Sequence, residues 1–230
     1  MRGQSAFLMT EILRGSDDIA LFVAKIMLAY LLGSLSGSLL VGRLRGLDIR
    51  LHGSGNAGGT NALRVAGWKF ALAVVIIDVG KGVLAVLLGG WQSGQAGSSV
   101  TDMHDLAALC GFAAVLGHCW PVFFGFRGGK GAGTAIGAIL ILAPTLAALM
   151  VVVWIGVLAA TRYVGLATVC AALAFPCFVF AANLLGRQPV PALIPFALAI
   201  AALLVFTHRS NLRRLLRNEE PRLGRQKQPS

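Results

Sequence analysis

The chain has 230 residues, of which 57% are hydrophobic and 13% charged, with 20 Lys+Arg against 9 Asp+Glu. Average soluble domains carry roughly 25% charged residues. A mean hydropathy of +0.77 with a net charge of +11 therefore excludes a soluble nucleic-acid binder and a disordered basic tail. It leaves an all-α polytopic membrane protein of one domain (1–230), with basic loops and no nucleic-acid partner.

Residues 1–18 read as an N-terminal extension, interrupted at Glu11 and lacking the long apolar core of a cleavable signal. Apolar runs follow at about 19–42, 68–90, 104–124, 132–160, 164–184 and 191–207. Five suit a spanning helix of roughly 17–25 residues. The run 132–160 would make one helix of about 43 Å at 1.5 Å per residue, against a hydrocarbon core of roughly 30 Å, and Pro144 lies near its middle. One kinked helix there gives six spans; two short helices turning near Ala143-Pro144-Thr145 give seven.

Loop charge separates the two counts. With seven spans and the N-terminus outside, fifteen of the twenty cations fall on the inner side, seven of them in the tail at 208–230, and three outside (Arg2, Arg14 and Arg187). With six, the split is eight against ten. The excess of Lys and Arg on cytoplasmic loops favours seven spans, N-terminus outside and C-terminus cytoplasmic, with some helices short. Lys25 and Lys81 fall within spans, and Lys25 is expected to snorkel toward the outer surface. The four cysteines, Cys110, Cys119, Cys170 and Cys177, lie in or beside apolar runs without metal-ligand spacing. They read as buried packing thiols, with no metal site.

Three polar segments then face one side. The first, Gly53-Ser54-Gly55-Asn56-Ala57-Gly58-Gly59-Thr60-Asn61 with Arg64, contains a formal G-x-G-x-x-G. A membrane span precedes it where a dinucleotide fold needs a strand, so no dinucleotide site is expected. Glycines can still expose backbone N–H groups to an anion, and an arginine can grip phosphate with two parallel bonds. The second runs from Gly117-His118 through Arg127-Gly128-Gly129-Lys130-Gly131 to Thr134. It fails the Walker A pattern, because Phe124 stands at the first glycine position and Gly131 replaces Ser/Thr after the lysine. A glycine turn with a lysine before a helix remains a good anion site. The third, His208-Arg209-Ser210-Asn211-Leu212-Arg213-Arg214-Leu215, places His208, Asn211 and Leu212 on one helical face. Attraction of a basic juxtamembrane helix to anionic lipid explains its arginines but not His208 and Asn211. Asp78 and Lys81, three residues apart within a span, are expected to pair with each other or with a loop arginine.

No acidic cluster offers Mg²⁺ ligands, which weakens kinase, phosphatase and CDP-alcohol transferase chemistry. No S-x-x-K or G-x-S-x-G nucleophile occurs. Direct transfer between bound anions, aided by positioning and charge, is left.

At these residues the sequence resembles the bacterial acyl-phosphate:glycerol-3-phosphate acyltransferase family (PlsY), over about 26–222. The family's three cytoplasmic motifs are matched by GSGNAGGTNALR (53–64), GHCWPVFFGFRGGKG (117–131) and HRSNLRRL (208–215), and DVGKG at 78–82 is similar to a fourth element. Gly59, Ala132-Gly133 and Asn218 depart from the usual residues, and Thr168 stands for a serine. The resemblance implies a seven-helix fold in the bacterial inner membrane with a cytoplasmic active site. It implies transfer of a fatty acyl group from acyl phosphate to the 1-hydroxyl of sn-glycerol 3-phosphate, giving lysophosphatidic acid and phosphate in phospholipid biosynthesis, without acyl-enzyme or cofactor. Ser54, Arg64, Lys130, His208 and Asn211 resemble the catalytic set. Gly53, Gly55, Asn56, Thr60, Asn61, His118, Gly128, Gly129, Gly131, Thr168 and Arg214 would contact substrate, with N–H donors from Gly55, Gly128 and Gly129. Glu220, Asp78 and Lys81 would be structural. Membrane lipid and the soluble acyl-phosphate synthase are the implied partners. The 29 glycines, nearly twice the usual share, then read as two anion-cradling loops. The competing expectation is a transporter of organic anions such as glycerol phosphate, which would need polar access from both faces.

Overall fold

The computed structural model describes residues 19–90, 100–186 and 193–224; the extension 1–18, Arg2, Arg14, Arg187, Arg225 and Lys227 lie outside them. The described residues are helical without strands. In chain order they form α1 (Ile19–Gly33) and α2 (Gly37–Leu44), then α3 (Gly59–Gly90) and α4 (Val100–Cys119). There follow α5 (Ala132–Leu142), α6 (Pro144–Thr161), α7 (Val164–Leu184), α8 (Leu193–Thr207) and α9 (Arg209–Leu216). Short 3₁₀ turns at Ile49–Leu51 and Val122–Phe124 shape the loops before α3 and α5.

Among the described residues, α3, α4, α6 and α7 are each long and apolar enough to cross a membrane. The pairs α1–α2 and α8–α9 qualify only jointly, bent by 49° and 54°. The run at 132–160 is broken as its proline suggests. Ala143 leaves helical geometry at φ −154°, ψ 72°, and Pro144 opens α6 at a position where its missing N–H costs nothing. Gly67, at φ 80° and ψ 179°, interrupts α3, so the first turns of α3 leave the spanning part at an angle.

Close backbone contact holds the bundle centre together. A Cβ added to Gly82 of α3 would come to 2.1 Å from the Thr134 carbonyl oxygen of α5, and one on Gly137 of α5 to 2.1 Å from the Val79 oxygen of α3. Gly33 and Gly117 bring α1 and α4 together in the same way. The glycine surplus is thus in large part helix packing, which corrects its assignment to the two loops alone; lipid offers no hydrophobic drive between helices, so close approach matters more. A second core joins α4, α5, α6, α7 and α8 through Val115, Ile139, Met150, Phe175, Phe196 and Leu204, with Phe175 and Phe196 edge to face at 6.1 Å. On α6, Val152 and Ile155 face outward, as lipid permits.

Asp78 and Lys81 do pair, at 3.1 Å. The loop arginine weighed as an alternative is replaced by His118, whose Nδ1 lies 3.3 Å from Asp78 Oδ1. Lys25 is buried, 6% exposed, so the expected snorkelling is corrected: it points into the bundle. Cys110 and Cys119 are buried thiols, but Cys177 is exposed and Cys170 partly so; an apolar run facing lipid does not bury every member.

Two glycines of this bundle should respond in opposite directions. Gly137→Ala must push α5 from α3 and should cost about 1–3 kcal/mol, lowering Tm in detergent by roughly 2–12 °C. Gly80→Ala, on α3 with nothing within 4 Å of the added carbon, should be neutral or stabilising by up to about 1 kcal/mol. Thermal unfolding of the two purified variants checks both.

Candidate active site

The loop before α3 is built around Asn61. Its side chain, 1% exposed, accepts the Ser54 N–H at 2.9 Å and donates to the carbonyls of Ile49 (3.1 Å) and His52 (3.0 Å). Gly53 adopts φ +62° here, and a Cβ on it would meet Asn61 Oδ1 at 2.3 Å. Asn61 therefore shapes the loop, while Ser54 stands exposed at its rim, with Asn56 and Thr60 part-buried beside it.

Arg50 joins this loop to the next. Its guanidinium is held by Asp48 through Nε (3.0 Å) and Nη2 (2.7 Å), and Nη1 donates to the carbonyls of Phe124 (3.0 Å) and Arg127 (3.3 Å). Hydrogen bonding to Arg50 keeps the Asp48 carboxyl below its usual range. In the sequence Arg50 is one loop cation among many; the only hint of its role is the acid two residues before it.

The second loop folds back over the end of α4. Gly128 N–H donates to Cys119 O (3.2 Å) and Gly129 N–H to His118 O (3.1 Å), while Gly55 N–H goes to His52 O (3.1 Å). These three N–H groups are spent on their own loops, which corrects their assignment as donors to an anion. Their glycines serve shape instead. Gly129 lies against the His118 ring and 2.7 Å, measured from an added Cβ, from the Ala57 carbonyl of the first loop. Gly131 ends the loop at φ +87° and starts α5.

Lys130 is thereby directed at the third segment. Its ammonium donates to Asn211 Oδ1, and its carbonyl accepts from Thr207 Oγ1 at 3.0 Å. Asn211 Nδ2 donates to Glu220 Oε1 at 2.7 Å, and Arg214 Nε to Glu220 Oε2 at 2.8 Å. Arg64 makes a long contact of 3.5 Å to the Pro221 carbonyl. Asn211 fits against α7 because residue 165 is glycine: a Cβ there would lie 2.8 Å from both its Cβ and its Nδ2. Burial, then the Arg214 and Arg64 charges, push the Lys130 ammonium down to about 8, with Glu220 opposing.

His208 sits at the start of α9, just past the α8 span, with Nδ1 2.8 Å from the Leu204 carbonyl. Donation to that carbonyl puts the proton on Nδ1 and leaves the Nε2 lone pair available. His208 and Asn211 are one turn apart as expected, but Asn211 is engaged with Lys130 and Glu220 while His208 is fixed by α8. Beyond Glu220 the chain runs along the α6–α7 turn: Arg222 Nε donates to Tyr163 Oη (3.2 Å) and Leu223 N–H to Arg162 O (2.8 Å).

Two expected substrate contacts are engaged elsewhere. His118, 3% exposed, belongs to the buried Asp78–Lys81 group. Thr168 Oγ1 donates to Val164 O (2.9 Å) and accepts from Trp154 Nε1 (3.2 Å), tying α6 to α7. Lys130, Asn211, Arg214 and Glu220 come together, Arg64 reaches the same tail, and His208 borders them. This is a compact polycationic site with a single carboxylate in contact, suited to a bound phosphate.

The family model described as glycerol-3-phosphate acyltransferase matches residues 23–218. The curated glycerol-3-phosphate acyltransferase of Chlorobaculum parvum is 39% identical, over 88% of this chain and 96% of its own length. That of Halalkalibacterium halodurans is 41% identical, over 87% and 94%. Among solved structures, the glycerol 3-phosphate form of PlsY (YgiH), an integral membrane glycerol 3-phosphate acyltransferase, is 36% identical with a TM-score of 0.77, covering 88% of this chain and 96% of its own. The lysophosphatidic acid form of PlsY superposes with a TM-score of 0.75 at the same identity. With the helical membrane bundle and the polycationic site already described, the chain belongs to the glycerol-3-phosphate acyltransferase family of integral membrane enzymes.

Proposed function

We propose that the protein transfers a fatty acyl group from acyl phosphate to the 1-hydroxyl of sn-glycerol 3-phosphate, yielding lysophosphatidic acid and inorganic phosphate. The observation that carries this is the grouping of Lys130, Arg64 and Arg214 around Glu220, a cation excess fit for two phosphorylated substrates. The activity of the relatives and the neighbour's two ligand forms support glycerol 3-phosphate as acceptor and lysophosphatidic acid as product. The acyl phosphate donor is what the resemblance carried by the three sequence motifs implies. We place the site on the cytoplasmic face of the bacterial inner membrane. There α1–α2, α3, α4, α5, α6, α7 and α8–α9 serve as seven crossings, N-terminus outside and C-terminus cytoplasmic.

The transfer is direct. The glycerol oxygen attacks the acyl carbonyl carbon, a C–O ester bond forms, and the carbonyl carbon–phosphate oxygen bond breaks. The departing phosphate takes the hydroxyl proton and leaves as the hydrogen phosphate dianion. Lys130 and Arg64, with Ser54 at the rim, hold phosphate oxygens and stabilise the leaving charge. Asn211 and His208 orient glycerol phosphate. Entry of substrate phosphate displaces the Glu220 carboxylate from part of this cation set.

Three outcomes follow for purified protein in lipid mesophase, reading lysophosphatidic acid formed and, with acyl phosphate, phosphate release. Acyl phosphate with glycerol 3-phosphate should support turnover, whereas an acyl thioester donor should not; absence of release from folded protein defeats the assignment. Arg64→Ala and Lys130→Ala should each lose about 10–150-fold in kcat/KM, the equivalent of a charge-assisted hydrogen bond of roughly 1.5–3 kcal/mol, with Tm retained.

Rate against pH tests the roles of Lys130 and His208. Lys130 acts as a cation, so activity should fall as pH rises through about 8, and Lys130→Arg should move that limb above pH 9. His208→Asn should slow turnover while leaving the shape of the low-pH side unchanged. Loss of a low-pH limb in that variant would make His208 a general base instead.

A further inference from the structure

Asp78, Lys81 and His118 have no part in the transfer just described, yet each is only 3% exposed, and His118 lies against the loop that carries Lys130. Asp78 Oδ1 accepts the Gly37 N–H at 3.1 Å, sits 3.1 Å from Lys81 Nζ and 3.3 Å from His118 Nδ1. Lys81 also donates to the carbonyls of Gly33 (2.7 Å) and Leu35 (3.1 Å), at the break between α1 and α2. One edge of the His118 ring thus lies beside a carboxylate held by α2 and α3, with Nδ1 itself making no hydrogen bond among the described residues.

The opposite edge meets Gly129. A Cβ at 129 would stand 2.1 Å from His118 Nε2, so the bare backbone lies against the ring. The His118 carbonyl takes the Gly129 N–H at 3.1 Å, and the Cys119 carbonyl takes the Gly128 N–H at 3.2 Å. From Asp78 the chain of contacts ends one residue before Lys130, whose own carbonyl is held from the other side by Thr207 Oγ1. A loop with glycine at 128, 129 and 131 has no side chains of its own to fix it there.

We propose that Asp78 and His118 are positioning residues for Lys130, setting the height of the Gly128–Gly131 loop so that the ammonium meets Asn211. Lys81 neutralises Asp78 and ties it to the α1–α2 break. The functional weight of this rests on Lys130 gripping substrate phosphate, but the geometric claim can be tested without any substrate.

The test is competitive labelling of full-length protein with an amine-acylating reagent across pH 6–11, read residue by residue by mass spectrometry, with exposed Lys69 as internal reference. The groups facing Lys130 are Arg64, Arg214, Glu220, Asn211 and His208. In the wild type its labelling midpoint should lie near 8. His118→Gln and Gly129→Ala should each raise that midpoint by one pH unit or more, because a displaced ammonium returns toward water. Phe175→Leu, which loosens the α7–α8 contact at Phe196, should leave it unmoved. If His118→Gln does not fold, Gly129→Ala carries the test alone. An unchanged midpoint in the folded variants, or an equal rise in Phe175→Leu, overturns the proposal. No turnover is involved, so failure here is distinct from failure of the acyl-transfer assignment.

Discussion

Like charges gathered at a membrane surface repel one another unless an anion stands among them. In this protein the Glu220 carboxylate fills that place. It takes Asn211 on one oxygen and Arg214 on the other, and through Asn211 it reaches Lys130. The same contacts fold the end of α9 back over the α6–α7 turn, where Arg222 and Leu223 continue them. The cation cluster is thereby kept compact. The cost is visible at Lys130, whose affinity for its proton is reduced by burial and by Arg214.

Around that centre the two glycine loops are braced from outside. Arg50 crosses from the first to the second, fixing the carbonyls of Phe124 and Arg127. Asn61 ties the first to its own 3₁₀ turn. The loops form a scaffold in which the N–H groups of Ser54, Gly55, Phe126, Gly128 and Gly129 are spent within the protein. It leaves side chains, chiefly Lys130 and Arg64, to meet a ligand. Such preorganisation suits a reaction that needs charge and orientation more than a nucleophile.

Much of this was legible in the chain. Pro144 within an over-long apolar run marks the α5–α6 break, and the Asp78–Lys81 spacing marks a buried pair. The three polar segments stand out because Ser, Asn, His, Arg and Lys are costly beside apolar spans and need a reason to be there. What stayed hidden depended on partners distant in sequence. Nothing local distinguishes Gly82, which touches α5, from Gly80, which touches nothing. His118 sits within a site motif, yet its ring faces Asp78 of α3, forty residues earlier, as well as Gly129. Thr168 keeps a hydroxyl that could serve a ligand, and gives it to Val164 and Trp154. Lys25 has the sequence position of a snorkelling residue, and only its neighbours reveal that it turns inward.

The backbone contact between α3 and α5 has one further effect. Gly82 and Gly137 bring no rotamers to the interface, so joining the two helices there freezes no side-chain freedom. A seam of leucines would lose entropy on assembly and retain the slack of alternative packings. Main chain resting on main chain has neither property. The start of α5, which fixes the far end of the lysine loop, is therefore mounted on a joint with almost no internal give. The orientation of Lys130 is in this sense a property of two glycines buried well away from it.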